Sequence, residues 1–328
     1  MRFLRRTPDT IHMIASLGGH LELLIAAAPT ESGREIVWVT SEGVRADELR
    51  NAGSTVHELP RLDRGSVSLR SILAGAILAL RERPGAVVTA GAGLTVPFCL
   101  VSRLLGARLI VVETMARVER GSRSGRLLSK FADQVIVQWP ELIDASYPDA
   151  ILCEPLLLEG IGEQTAGGGD GTFVTVGSHD APFDRLIAMV ENAAHDGILP
   201  RPVFVQHGVR REAGRGLDGS PWLEPAEFTD RLRSAALVIT HGGAGAIGTA
   251  LRMGRTPIVV PRSSALGEHV DDHQDDLVSK LTEMGLIVCV RGGDLTREHV
   301  LDASRSPVKP VGDDLPTVGA ALSRVLDQ

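Results

Sequence analysis

Short β-branched runs alternate with longer amphipathic stretches almost from the first residues of the chain. Residues 11–15, 36–40, 86–89, 109–112 and 134–137 read as strands buried in a parallel sheet. Between them, residues 21–28, 46–52, 67–83 and 95–105 read as helices. This alternation predicts a doubly wound α/β domain over residues 1–158. Residues 159–171 interrupt it with six glycines, the composition of a flexible linker. The pattern then restarts, with strands at 173–176, 203–206, 237–240 and 257–260 and helices at 183–194, 225–235 and 245–253. A last apolar stripe at 315–326 predicts a closing helix, so residues 172–328 read as a second doubly wound domain. Two such domains on a glycine-rich hinge leave a cleft facing the C-terminal strand ends, where this architecture binds ligands.

Composition narrows the function classes. The chain has 328 residues, enough for two real cores, and only 3% aromatics, which argues against a stacking platform for nucleic acid. The net charge of −7 is uneven: residues 1–150 carry +2 and the remainder −9, so the N-terminal half is the one suited to an anionic surface. Cys99, Cys153 and Cys289 lie far apart without CxxC spacing and read as buried thiols in a reducing compartment. Residues 1–6 are basic, but no apolar signal core follows, and the best apolar run, 71–80, is too short to span a bilayer. The expectation is a cytoplasmic protein, peripheral on the inner face of the plasma membrane.

Four segments carry candidate chemistry, each where a strand gives way to a glycine turn or a basic loop. Gly18-Gly19-His20 follows the first strand: glycines admit a ligand close to the backbone, and His20 is a candidate general base. The bland alternative is a histidine that caps its helix. Glu113 opens a loop in which Arg117, followed by Arg120, Arg123, Arg126 and Lys130 with Glu119 the one acid among them, forms a basic stretch suited to a diphosphate or to anionic lipid heads, and equally to a solvated helix face. Thr240-His241-Gly242-Gly243-Ala244-Gly245 joins a strand to a helix whose N-terminus can receive a diphosphate. It is neither a dinucleotide fingerprint nor a P-loop. Pro261 to Gln274 is the densest segment, with Arg262, Glu268, His273 and Gln274 available to sugar hydroxyls. His269 and His273 are four apart and would share a helix face as zinc ligands, but Val270 stands where the protease motif needs Glu. Gly177-Ser178 opens the second domain in the same manner as Gly18-Gly19.

Taken together these motifs resemble a known family. The N-terminal half, through residues 16–23, Val112 to Val118, Gly125-Arg126-Leu127 and Ala132 to Glu141, is similar to the membrane-docking subunit of two-part transferases of lipid-linked oligosaccharide and exopolysaccharide assembly. The C-terminal half, through Thr175-Val176-Gly177, Phe183 to Leu186, Val205 to Gly208, Thr240 to Ile247 and Val260 to Gln274, resembles their catalytic, donor-binding partner. The two parts look fused. The resemblance implies a GT-B fold, two Rossmann-like domains facing across a cleft, and an inverting hexosyltransferase. It also implies a UDP-sugar donor, a polyprenyl diphosphate-linked acceptor, and no metal or other cofactor. In the related peptidoglycan N-acetylglucosaminyltransferase family an acidic, ribose-binding residue stands five positions before the glycine of the C-terminal helix. Here that glycine is Gly254 and Thr249 takes the place, leaving Glu268 as the substitute.

The resulting expectation places the donor on Gly177, Ser178, Thr240, Gly242, Gly243, Ala244, Gly245, Arg262, Glu268, His273 and Gln274. It places the acceptor and membrane on Gly18, Gly19, Arg117, Arg120, Arg123 and Arg126. His20 is the candidate base, with His241 and Glu113 as runners-up. A UDP-sugar epimerase of the same fold and a non-catalytic scaffold binding lipid or a partner are the alternatives.

Overall fold

The computed structural model describes residues 7–29, 33–60, 69–161, 169–177, 181–209, 212–268, 273–305 and 315–328. The chain divides into two compact units, Met1–Leu156 with Asp313–Gln328, and Leu157–Gly312. The first is built from β1 (Thr7–Ile14), α1 (Gly19–Ala27), β2 (Glu35–Ser41), α2 (Val44–Asn51), β3 (Thr55–Leu59), α3 (Leu69–Glu82), β4 (Pro84–Thr89), α4 (Val96–Leu104), β5 (Arg108–Val112), α5 (Arg123–Leu128), β6 (Gln134–Val137), α6 (Glu141–Ala145) and β7 (Ile151–Leu152). Its parallel sheet runs β3-β2-β1-β4-β5-β6-β7. All six residues of β4 are buried, as a strand covered on both faces must be. Trp38 and Ile110 lie in the core against α1, and Val39 and Val111 in the core that includes Ala79 of α3 and Phe98 of α4.

The second unit contains β8 (Thr172–Thr175), α7 (Asp184–His195), β9 (Val203–Gln206), β10 (Asp218–Ser220), α8 (Pro225–Ser234), β11 (Leu237–His241), α9 (Ala244–Arg252), β12 (Ile258–Val260), α10 (His273–Glu283), β13 (Val288–Cys289) and α11 (Arg297–Arg305). Its parallel sheet runs β10-β9-β8-β11-β12-β13. Each sheet reverses its strand order once, between β1 and β4 in the first and between β8 and β11 in the second. A crevice opens at such a reversal, beyond the C-terminal strand ends.

The closing helix α12 (Val318–Asp327) departs from the boundary that sequence order suggests. Placed with the second domain by its position in the chain, it packs in the first unit. There Val318, Ala321, Leu322, Val325 and Leu326 join the core of Leu21, Leu24 and Ala27. The apolar stripe on α1 needs a cover, and α12 supplies it. The guanidinium groups of Arg34 and Arg108 donate to the carbonyls of Leu326 (2.7 Å) and Val325 (2.7 Å), satisfying acceptors that a helix C-terminus leaves open. Most of the linker, residues 162–168, lies outside the described residues.

His12 on β1 is a core position that is polar without compensation. It is 1% exposed, stacks on Phe98, and neither ring nitrogen has a hydrogen-bond partner. The Glu82 carboxylate stands 3.8 Å from its Nε2, too far for a hydrogen bond. Burial, with help from the charge of His57, pushes its pKa down to about 4. The unfolded chain therefore binds a proton between pH ~6.5 and ~4 that the folded chain refuses, so stability falls as the pH drops through that window, by up to about 3 kcal/mol. His12→Leu is expected to raise the urea midpoint at neutral pH and to flatten its decline in acid. An unchanged acid slope would place the titrating group elsewhere.

Candidate functional site

In the first unit the glycine turn after β1 leads directly into α1. Gly18 has φ +92°, a conformation that glycine alone adopts without strain. Gly19 is different: it is helical, and a Cβ there would meet nothing within 4 Å. The fold does not require a glycine at that position, and its absence of a side chain leaves the helix N-terminus open. His20 is half-buried and its Nδ1 lies 2.9 Å from the carbonyl oxygen of Ala90, at the end of β4. A carbonyl only accepts, so Nδ1 carries the proton and Nε2 keeps its lone pair. The bond joins the start of α1 to the residue after β4, so it links the segments that follow the two strands of the reversal. Burial lowers the His20 pKa, opposed by Glu113 and the Ala90 bond and assisted by Arg117. The imidazole is thus neutral at neutral pH.

The loop that receives this bond was not singled out from the sequence. Ala92 has φ +77°, a strained value for a residue with a side chain. It is held there by its own N–H, which donates to Ser124 Oγ (3.0 Å), and by its carbonyl, which accepts from Thr95 Oγ1 (2.9 Å). The signal was present as Gly91-Ala92-Gly93 between a strand and a helix.

Glu113 lies at the end of β5 and is 1% exposed. Its carboxylate accepts from the N–H groups of Thr114 (3.0 Å) and Ser122 (2.9 Å) and from the hydroxyl of Tyr147. Gln138 Nε2 donates to its carbonyl (2.9 Å). A carboxylate filled by two donors from its own loop and by the Tyr147 hydroxyl organises that loop; this geometry gives Glu113 a supporting place rather than that of a base. Of the basic stretch, Arg117 and Arg126 are half-buried and Arg120, Arg123 and Lys130 are exposed.

In the second unit the reversal is marked by His241, at the end of β11. Its ring lies between two glycines: a Cβ on Gly177 (φ +80°) or on Gly243 would run into the imidazole. Gly243 caps α9, with Gly242 and Ala244 on either side of it. Gly245, inside the first turn of α9, is exposed and a Cβ there would again touch nothing. Alanine favours a helix over glycine by about 0.5–1 kcal/mol, so Gly245→Ala is expected to stabilise the fold slightly while weakening UDP binding tenfold or more. Calorimetry reads both, and unaltered UDP affinity would remove the diphosphate from this turn. Thr240 is fully buried and lies 3.4 Å from His241 Nδ1 through its Oγ1.

Arg262 and Glu268, expected to meet the donor, are used inside the fold. Arg262 is 1% exposed and donates to the carbonyls of Val176 (2.9 Å), Ala181 (3.1 Å), Pro182 (3.3 Å) and Glu268 (3.2 Å), with Phe183 beneath its guanidinium. Glu268 takes a two-pronged bond from Arg185 (3.0 and 2.9 Å) and another from the Ser263 N–H (3.0 Å). Burial alone would raise its carboxyl, but these donors outweigh burial and hold it below the usual carboxylate range. A carboxylate so occupied does not fit the ribose contact expected of it. Thr249 turns its hydroxyl back to the Gly245 carbonyl (2.8 Å). Arg185, the partner that explains Glu268, was legible only as part of the Phe183–Leu186 segment. Ser178 and residues 269–272 lie outside the described residues, and of His273 and Gln274 only the backbone, at the start of α10, is described. Among the described residues no group of three or more His, Cys, Asp or Glu side chains is placed to hold a metal ion.

Comparison with known proteins follows the same division. Residues 172–297 match the glycosyltransferase family 28 C-terminal domain, and residues 65–153 match the family described as oligosaccharide biosynthesis protein Alg14 like. The UDP-N-acetylglucosamine transferase subunit ALG14 of Mus musculus is 39% identical over 80 residues, 23% of this chain and 36% of that subunit, so the chain spans about a third of its length. The UDP-N-acetylglucosamine--N-acetylmuramyl-(pentapeptide) pyrophosphoryl-undecaprenol N-acetylglucosamine transferase of Halorhodospira halophila is 29% identical over 293 residues, 78% of this chain and 77% of that enzyme. Among solved structures, Acinetobacter baumannii MurG superposes with a TM-score of 0.67 at 17% identity, covering 97% of this chain and 99% of MurG. The chain therefore joins an Alg14-like segment to a glycosyltransferase family 28 C-terminal domain, and is a glycosyltransferase of the GT-B fold.

Proposed function

We propose that the chain transfers a sugar from a UDP-sugar to a hydroxyl of a polyprenyl diphosphate-linked sugar, with inversion and without a metal. The observation that carries the reading is His20, whose Nδ1 is committed to Ala90 and whose Nε2 is left basic beside the open N-terminus of α1. The acceptor hydroxyl passes its proton to Nε2 as its oxygen attacks the anomeric carbon. The bond from that carbon to the diphosphate breaks, and the departing UDP collects the charge. In the second unit α9 offers its N-terminal N–H groups and dipole to that charge at an exposed glycine turn. A base on the acceptor and a helix terminus on the leaving group meet both demands of the transition state with protein groups alone. The names of the relatives make UDP-N-acetylglucosamine the first donor to try.

The acceptor's lipid requires a membrane, and α3 is built for one. Its inward face carries the small residues Ser71, Gly75 and Ala79, and Gly75 lies against Pro97 and Phe98 of α4. Its outward face carries Leu69, Ile72, Leu73, Ile77 and Leu80, between 40% and 72% exposed. Large apolar residues outside and small ones inside invert the usual amphipathic order. The same unit exposes Leu127 and Phe131 beside Arg123 and Lys130. Such a surface lies in an interface plane with basic side chains on anionic heads. Among the described residues no helix is long and apolar enough to cross a membrane. A peripheral seat on the cytoplasmic face of the plasma membrane fits this surface.

The test is UDP release from a panel of UDP-sugars, with and without a polyprenyl diphosphate-sugar in detergent. Turnover of one donor only when the lipid is present is the expected result. Conversion of the donor to an epimer without lipid would replace the transferase reading, and absence of both turnover and UDP binding would leave a scaffold.

A further inference from the structure

The chain's one tyrosine is buried, and its hydroxyl is the third donor to Glu113. Tyr147 follows α6, and the sequence is shaped around it. A Cβ on Gly121 would collide with the phenol, and a Cβ on Gly125 would collide with the phenol and the Glu113 carboxylate together. Burial and the neighbouring Glu113 push the phenol pKa upward, so it remains a donor.

From there a continuous set of bonds leads to the imidazole. Ser122 donates its N–H to Glu113 and caps α5 by accepting from the Gly125 N–H (2.9 Å). Two residues on, Ser124 Oγ accepts the N–H of Ala92 and so holds the strained turn that follows β4. The carbonyl of Ala90, at the start of that turn, is the one on which His20 hangs. The links are hydrogen bonds between described groups of the first unit, joined by two short stretches of backbone, 122–124 and 90–92. Without the Ser124 contact, the alanine at φ +77° loses the side-chain partner of its N–H and keeps the bonds from Thr95 to its carbonyl.

We propose that Tyr147 is a positioning residue for His20: seated on Glu113, it fixes the 113–125 loop, whose Ser124 fixes the Ala90–Ala92 turn that orients the imidazole. The inference rests on His20 as the base.

Tyr147→Phe removes one oxygen and keeps the ring. The expected result is a fall in kcat of about tenfold to a hundredfold, the cost of a small misplacement of a reacting group, with the donor KM within about twofold. Glu113→Gln should act through the same route, so the double variant should be no slower than Glu113→Gln alone. Val325→Ala in α12, with comparable loss of thermal stability, should keep kcat. A readout free of turnover is the nitrogen NMR signature of the His20 tautomer, assigned with His20→Gln: Tyr147→Phe should let the proton distribute between Nδ1 and Nε2. An unchanged kcat and tautomer in Tyr147→Phe, with His20→Ala inactive, would overturn the positioning role and leave the base in place. Full turnover in His20→Ala would remove the base itself and this inference with it.

Discussion

Replacing His20 by alanine lowers turnover by about 10²- to 10⁴-fold, the range general-base catalysis supplies, while donor affinity stays within about twofold. The asymmetry follows from where the side chain sits. Its Nδ1 is held by Ala90 in the first unit, and in the proposed reaction its remaining lone pair takes a proton that only the acceptor brings. In the same proposal the donor's phosphates have their own helix terminus, that of α9. The pH profile carries a second signature. Burial lowers the His20 pKa against the pull of Glu113 and the Ala90 bond, so the base is ready at neutral pH and fails only in acid. The kcat profile should be flat around neutrality and fall on an acid limb below pH ~6.5, the ordinary imidazole value. Initial rates of UDP release across pH decide the matter. Survival of the acid limb in His20→Ala would mean that another group takes the proton.

Arg262→Met should cost about 3–5 kcal/mol of stability, the range seen when one member of a buried charged network is removed. The methionine fills most of the volume, but four backbone carbonyls from three segments lose their donor together. Lysine should rescue little, because an ammonium is a point charge and the site is built for a planar fork. The prediction separates two roles. An arginine that grips the donor would, on removal, weaken UDP binding and leave the thermal midpoint alone. An arginine that closes the backbone around itself lowers the midpoint first, with binding lost as a consequence. A variant with the native midpoint and diminished UDP affinity would fit only the first.

How far the site could be read from the sequence depends on whether its parts are adjacent in the chain. Gly18-Gly19-His20 and His241 to Gly245 were legible because strand, glycine turn and helix follow in order, and the physics of a helix N-terminus is local. Arg262 and Glu268 were misleading for the opposite reason. A charged residue in a polar, ligand-rich segment looks available, and its partner Arg185 lies 83 positions from Glu268. Glu113 is similar: only the approach of Tyr147, 34 positions on, reveals a carboxylate already filled. The apolar run of 71–80 was visible as too short to span a bilayer, but which side of α3 faces outward depends on α4 beneath it.

Hydrophobic periodicity by itself determined two doubly wound domains, because buried parallel strands must be apolar on both faces and their covering helices on one. The glycine turns at strand ends were also readable, because a missing Cβ or a left-handed φ is a property of one residue. Tertiary structure alone decided the rest. It paired β1 with β4 and β8 with β11, which brings His20 to Ala90 and His241 to Gly177. It returned α12 to the first unit, where an uncovered apolar stripe waited. And it consumed Arg262, Glu268 and Glu113 internally, because a buried charge must find its partners wherever the fold brings them, however distant in the chain.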